Sequence, residues 1–187
     1  DRMLLEMEEK KLLRKEIRER KKLYTLEQKK ELSQPIFSAL EKEELFADAK
    51  VVLLYWSMDD EVFTQDFVRK WYKDKTILLP CVDGDDLLLR QYQGEQSMRV
   101  GEQFGIPEPI GELFEDLDKI DLMIIPGVAF DKERNRMGRG RGFYDRLLKT
   151  IPAKKIGICF DFQFVEKVPT EDFDVKMDML ISTSSVI

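Results

Sequence analysis

The spacing of hydrophobic residues changes sharply at Val51. Before it, Glu6 to Tyr24 carries no Gly or Pro and is rich in Leu, Glu, Lys and Arg, with Leu13 and Ile17 on one face, the pattern of a helix. Lys10, Arg14 and Arg18 recur every fourth residue as a basic stripe beside that face. Thr25 with Gln28 has the form of a capping box and opens a second helix running toward Phe46, which Pro35 should kink or divide. From Val51 to Trp56 the chain is an unbroken apolar run, the pattern of a strand buried on both faces. Thr64 to Lys73 predicts a helix and Ile77 to Leu79 a second strand. Asp83-Gly84 is a turn signal before Leu87 to Tyr92, so these two strands should pair as a hairpin. Leu122 to Ile125, Lys155 to Cys159 and Met179 to Ser182 predict three more strands. Gly101, Gly105, Pro107, Pro109 and Gly111 cluster between the third and fourth, which predicts a long irregular loop of the functional kind.

Short apolar strands alternating with helices imply an α/β fold with a mainly parallel sheet sandwiched between helices, one antiparallel hairpin and a helical N-terminus. Ligands of such folds sit at the carboxyl ends of the strands. Ser57 to Glu61 and the segment from Pro126-Gly127 onward lie there.

The length, 187 residues, fits one domain, 1–187, with a full hydrophobic core. The first residue is Asp1, with Met3 and Met7 close behind, so the opening residues are set aside from the fold as candidates for a processing remnant or an appended stretch. A net charge of −6 argues against a general nucleic-acid binder and requires any anion site to be a local basic patch. No apolar run approaches the roughly 18 residues of a membrane span, and no signal-peptide pattern opens the chain. Cys81 and Cys159 stand apart in apolar stretches and read as reduced, buried cysteines of a cytoplasmic protein. There is no histidine. That removes the Ser/His/Asp and Cys/His triads, His-ligated zinc and the imidazole base, and leaves carboxylates, Lys, Arg, Tyr, backbone amides or a hard cation to do any chemistry.

The chemistry concentrates between Pro126 and Arg146. Gly138, Gly140 and Gly142 alternate with Arg139 and Arg141, just before a helix predicted to start near Tyr144. Glycine lets backbone N–H groups approach an anion as a nest, a helix N-terminus adds its own amides, and arginine brings forked permanent charge. Asp145 follows at once, placed to share Mg²⁺ with a phosphate. The loop has neither the Gly-Lys-Ser/Thr ending of a Walker loop nor the glycine spacing of a dinucleotide fold. Spacing alone stops at a phosphate site, with nucleotide as the first reading and a solvated basic loop or an RNA-binding Arg/Gly tract beside it. Lys10 and Arg14 by pattern are a solvated helix face. Glu61 closes the acidic triplet Asp59-Asp60-Glu61, which by pattern is a solvent-facing turn, and Trp56 fits core or ligand platform equally. Nothing in the pattern singles out Asp178.

Phe130-Asp131 followed by Arg136-Met-Gly-Arg-Gly-Arg-Gly-Phe-Tyr-Asp145 resembles the signature of the 5-formyltetrahydrofolate cyclo-ligase (5,10-methenyltetrahydrofolate synthetase) family. The resemblance extends over most of the chain. Phe104-Gly-Ile-Pro-Glu-Pro109, Asp121 to Gly127, Ser57-Met-Asp-Asp-Glu-Val62, and Lys10 with Arg14 match further stretches in order. Arg141 stands where the family commonly has Lys and Phe143 where it often has Tyr, so a hydroxyl at 143 is not essential. The resemblance implies a three-layer α/β fold and conversion of ATP and 5-formyltetrahydrofolate to 5,10-methenyltetrahydrofolate, ADP and phosphate. It implies that Arg136, Met137, Gly138, Arg139, Gly140, Arg141, Gly142, Phe143 and Tyr144 hold ATP with Lys10 and Arg14, and that Arg139, Arg141 and Tyr144 are catalytic. It further implies that Trp56, Glu61, Arg14 and the loop from Arg139 to Phe143 face the folate, and that Asp145 and Asp178 bind Mg²⁺. The expected partners are these small molecules alone, without nucleic acid or membrane, on a monomer. Two other classes stay in view: an α/β enzyme acting on a sugar phosphate or acyl-CoA ester, and an RNA-binding module.

Overall fold

The structure, a computed structural model, describes residues 1–101 and 105–187, so Phe104 of the second motif lies outside the described residues. Helix α1 (Arg2–Lys21) begins earlier than its pattern predicts, because Asp1 accepts the Met3 N–H and nothing in the first residues breaks a helix. Its Ile17 is buried against Val128, Ala129, Met137 and Val168, with Leu13 packed alongside, so the predicted face is the docking face. Helix α2 (Leu26–Glu41) opens with the predicted Thr25/Gln28 capping box. It continues through Pro35 as one helix, and the division falls instead before α3 (Glu44–Asp48). Pro35 lies on the exposed face, where water can take over the carbonyl that loses its N–H, while Ile36, Phe37 and Leu40 anchor the buried face.

Strand β1 (Val51–Leu53) is shorter than its apolar run, and α4 (Gln65–Trp71) follows. The last ladder bond is donated by Leu54 N–H to Leu78 O, and the chain then carries Tyr55 and Trp56 beyond the sheet edge. Strand β2 (Thr76–Asp83) outruns its prediction and pairs antiparallel with β3 (Asp86–Gln91) through the Asp83-Gly84 turn. The Gly/Pro-rich stretch, predicted irregular, holds a second small sheet of β4 (Met98–Val100) and β5 (Pro107–Pro109). Two of the three β5 residues are proline, so local pattern reads as loop. The pairing is secured from outside, by the Val82 N–H donating to Glu108 Oε2 at 2.6 Å. Strands β6 (Leu122–Ile125), β7 (Ala129–Phe130) and β8 (Arg136–Met137), helix α5 (Phe143–Thr150), and strands β9 (Lys154–Cys159) and β10 (Met179–Ser182) complete the chain.

The central sheet has the order β10-β9-β6-β1-β2-β3, parallel except for the β2–β3 pair. Side chains alternate across it as strand geometry requires. Val52, Ile77, Leu122, Ile124, Ile156 and Ile181 face α2, α3 and α4. Leu53, Leu78, Met123, Ile125 and Leu180 face α5. The three layers expected are therefore present, with α1 and the β7–β8 hairpin at the carboxyl ends of β1 and β6. Cys81 and Cys159 are buried free thiols. Among the described residues no helix is long and apolar enough to cross a membrane.

Asp131 organises the approach to the glycine–arginine loop. Its buried carboxylate accepts N–H bonds from Glu133 (3.0 Å), Asn135 (3.1 Å) and Val168 (2.9 Å), and a fourth from the Asn135 side chain at 3.0 Å. Asp131→Ala strands several buried donors at once. The expected loss is roughly 3 kcal/mol of stability, seen as a lower urea midpoint at unchanged slope.

Candidate active site

The turn after β1 is locked by a pair of side-chain hydrogen bonds. Ser57 N–H donates to Thr64 Oγ1 at 3.1 Å and Thr64 N–H donates back to Ser57 Oγ at 3.0 Å. This clasp fixes the Met58–Glu61 bend, in which Met58 N–H donates to Glu61 Oε1 at 2.8 Å. Glu61 is thereby turned inward with its side chain 12 % exposed. Burial pushes its carboxyl above the ordinary carboxylate range, against the pull of the Met58 amide and Arg139.

The loop after β8 faces that bend. Gly140 (φ 98°) and Gly142 (φ 74°) hold left-handed backbone, and Gly142 is the N-cap of α5 with no side-chain cap bond. A helix N-terminus of this kind favours an anion through its dipole and its first turn of amides. A Cβ at Gly140 would come within 3.2 Å of the Arg14 guanidinium carbon, so glycine here lets α1 close on the loop. Arg14 Nε donates to Gly138 O at 3.0 Å. Lys10, one turn back, lines the same cavity and lies 3.8 Å from Glu171.

Arg136 is the buried cation of the site, its side chain 5 % exposed. Its Nε donates to Pro126 O at 2.7 Å, Nη1 lies 3.4 Å from Asp145 Oδ1, and the guanidinium sits 5.4 Å from the Tyr144 ring centre. Burial draws its pKa down and Asp145 opposes the shift. Tyr144 is pushed well up by burial and then by the charge of Glu61, so its hydroxyl stays protonated and available as a donor. Arg139 Nη2 donates to both oxygens of Asp60, at 3.1 and 3.2 Å, and stands 3.9 Å from Glu61 Oε2.

A cavity of about 340 Å³ lies between bend and loop. Its wall carries five cations, Lys10, Arg14, Arg136, Arg139 and Arg141, together with the apolar side chains of Tyr55, Trp56, Pro80, Val82, Leu87 and Ile106 and the carboxylate of Glu61. Trp56 is held by stacking on Tyr92 (ring centres 5.7 Å apart) and by Arg69 over its ring at 5.2 Å. Every residue singled out from Arg136 to Asp145 lines this cavity, as do Lys10, Arg14, Trp56 and Glu61. Asp178 does not. It lies exposed beside the start of β9, where its carboxylate accepts the Lys155 N–H at 2.8 Å, on the amino side of the sheet away from the loop. The additional carboxylate that reaches the wall near Arg136 is Asp174, braced by the Glu171 N–H at 2.8 Å.

Residues 6–183 match the model of the 5-formyltetrahydrofolate cyclo-ligase family. The chain belongs to that family. It is 31 % identical over 179 residues to the 5-formyltetrahydrofolate cyclo-ligase of Escherichia coli, covering 91 % of this chain and 98 % of that one. The Haemophilus influenzae cyclo-ligase is 36 % identical over 143 residues, 71 % of this chain and 76 % of its own. Among solved structures, the 5,10-methenyltetrahydrofolate synthetase of Aquifex aeolicus superposes with a TM-score of 0.85 at 34 % identity, covering 95 % of this chain and 91 % of that one. The synthetase of Mycoplasma pneumoniae does so with a TM-score of 0.73 at 27 % identity, covering 92 % and 97 %.

For a cyclo-ligase family member the sequence reading missed the apolar wall. Tyr55 looked like the end of a buried strand, and Pro80, Val82 and Leu87 like ordinary hairpin residues. The only available signal was the place of the β2–β3 hairpin next to β1, and that adjacency is a property of the sheet order. Asp60 was passed over as one member of an acidic turn, although it is the residue that holds Arg139.

Proposed function

We propose that the chain catalyses ATP- and Mg²⁺-dependent cyclisation of 5-formyltetrahydrofolate to 5,10-methenyltetrahydrofolate, releasing ADP and phosphate, as a monomeric, cytoplasmic, single-domain enzyme. The observation that carries this reading is a single cavity lined both by the glycine–arginine loop with the helix N-terminus that follows it and by Trp56 and Glu61. Family membership supports it.

The chemistry suits a site without histidine. A formamide is a weak electrophile and its oxygen a poor leaving group. Transfer of the γ-phosphoryl group to the formyl oxygen gives an imidate-like phosphate, N10 attacks the formyl carbon, the ring closes, and phosphate departs with that oxygen. Phosphoryl transfer depends on alignment and charge neutralisation more than on a strong base. Arg14, Arg136, Arg139 and Arg141 provide the charge, the α5 amides bind phosphate oxygens, and protonated Tyr144 supplies a neutral donor. Trp56 offers a ring surface to the pterin, and Glu61 accepts from its N–H edge.

The residues present fit Mg²⁺ bound largely by substrate. Among the described residues no group of three or more acidic, His or Cys side chains forms a protein cage. Asp145, 59 % exposed at the first turn of α5 beside the loop, is the one carboxylate such a cation needs besides phosphates and water. Bound there, the cation would neutralise charge on the transferring phosphates. Asp178 is left out, since its carboxylate is tied to Lys155 away from the cavity. Asp145→Asn is expected to raise the Mg²⁺ needed for half-maximal rate by at least roughly tenfold, with folate binding in the absence of nucleotide unchanged. An unaltered Mg²⁺ requirement refutes the assignment.

The deciding assay mixes purified protein, ATP, Mg²⁺ and 5-formyltetrahydrofolate and follows the methenyl chromophore. Appearance of the chromophore only with ATP supports the reading. Its absence under all conditions refutes it, and returns the sugar-phosphate and acyl-CoA classes to the front.

A further inference from the structure

Arg139 stands between two carboxylates. Asp60 takes Nη2 with both oxygens at 3.1 and 3.2 Å, whereas Glu61 Oε2 is 3.9 Å away. The neighbouring acids therefore compete for one guanidinium, and Asp60 holds it. Asp60 is in turn held by Lys21, whose ammonium, 8 % exposed at the end of α1, lies 3.4 Å from Oδ2. Burial alone would raise the Asp60 carboxyl, but Lys21 and Arg139 outweigh it and keep it below the ordinary carboxylate range. Asp60 is not among the residues that line the cavity, while Arg139 and Glu61 both are.

We infer that Asp60 is a positioning residue: it retains Arg139 beside the phosphate loop and so keeps the Glu61 carboxylate open to the donor edge of the folate. This rests on the functional reading above. The contact to Asp60 uses Nη2, and the same guanidinium carries Nε and Nη1 as further donors toward phosphate. If Asp60 loses its charge, the closest remaining anion is Glu61. A guanidinium–carboxylate pair there would occupy the acceptors that the pterin needs. Asp60 thereby acts on folate through Arg139, with no contact of its own.

A double-mutant cycle on 5-formyltetrahydrofolate affinity, read by calorimetry without nucleotide, tests this independently of turnover. Asp60→Asn in the otherwise native chain is expected to weaken folate binding about tenfold, the effect of losing one charge-assisted contact to the ligand. On an Arg139→Ala background the same substitution is expected to change affinity by less than about twofold, because no guanidinium is left to migrate. A general structural role would instead produce the same tenfold loss on both backgrounds, and that result overturns the inference. Unchanged affinity for Asp60→Asn overturns it as well. Should Asp60→Asn not fold, Asp60→Ser is put through the same cycle. Native protein that does not bind 5-formyltetrahydrofolate at all sinks the functional reading and this inference together, whereas native binding with additive losses sinks this inference alone.

Discussion

Arg139→Ala and Arg141→Ala each lower turnover by roughly two to three orders of magnitude, the scale for losing one preorganised donor to developing charge. Both residues line the cavity, where Arg139 is held by Asp60. No reorganisation is needed at the moment of phosphoryl transfer, which is why the loss falls on turnover more than on substrate affinity. Arg141→Lys is the milder change, since it keeps the positive charge and a point charge suffices for phosphate. Steady-state rates of methenyl formation at saturating ATP and folate make the measurement. Native turnover in both alanine variants places the chemistry elsewhere than this loop.

Glu61→Gln weakens 5-formyltetrahydrofolate binding about ten- to hundredfold and leaves ATP binding near normal. One Glu61 oxygen is already engaged by the Met58 N–H, so the inward carboxylate is fixed in orientation. The amide replaces an acceptor with a donor, setting donor against donor at the pterin edge. Losing a charge-assisted contact in a largely buried site costs about 1.5–3 kcal/mol. The pH dependence has a definite sign. Burial raises the Glu61 carboxyl, the ionised form is the one that accepts from the pterin, and protonation removes it. Folate affinity should therefore fall on acidification, beginning at a higher pH than an ordinary carboxylate would give, and Glu61→Gln should abolish that limb. Titration calorimetry with each ligand alone separates the outcomes. Equal weakening of both ligands indicates a role in the bend itself, and no weakening returns Glu61 to a solvated turn.

How much of the site was legible varied with how local each determinant is. The glycine–arginine loop could be located from its own residues, because positive-φ glycines and a helix start are set within a few positions. Lys10 and Arg14 could not be told from a solvated helix face by pattern. Their place on the cavity wall depends on Ile17 docking against Val128 and Met137, a contact more than a hundred residues apart in sequence, and on Gly140 leaving room for Arg14. Pro35 was expected to break α2 by a local rule, and tertiary anchoring of Ile36, Phe37 and Leu40 overrode it. The β4–β5 pair went unpredicted for the converse reason: its local residues disfavour a strand, and Glu108 secures it on β2.

By itself the sequence determined the six strands of the central sheet, their mainly parallel class, the glycine–arginine loop and the absence of imidazole chemistry. Each follows from periodicity, backbone freedom or residue type within a short window. Only the tertiary structure decided which charged groups meet. It set Arg139 between Asp60 and Glu61, buried Arg136 beside Asp145, and left Asp178 at the opposite edge of the sheet with Lys155. The physical reason is that pairing energies depend on distance and burial, and both quantities are settled by the sheet order β10-β9-β6-β1-β2-β3 and the docking of α1 across its carboxyl edge.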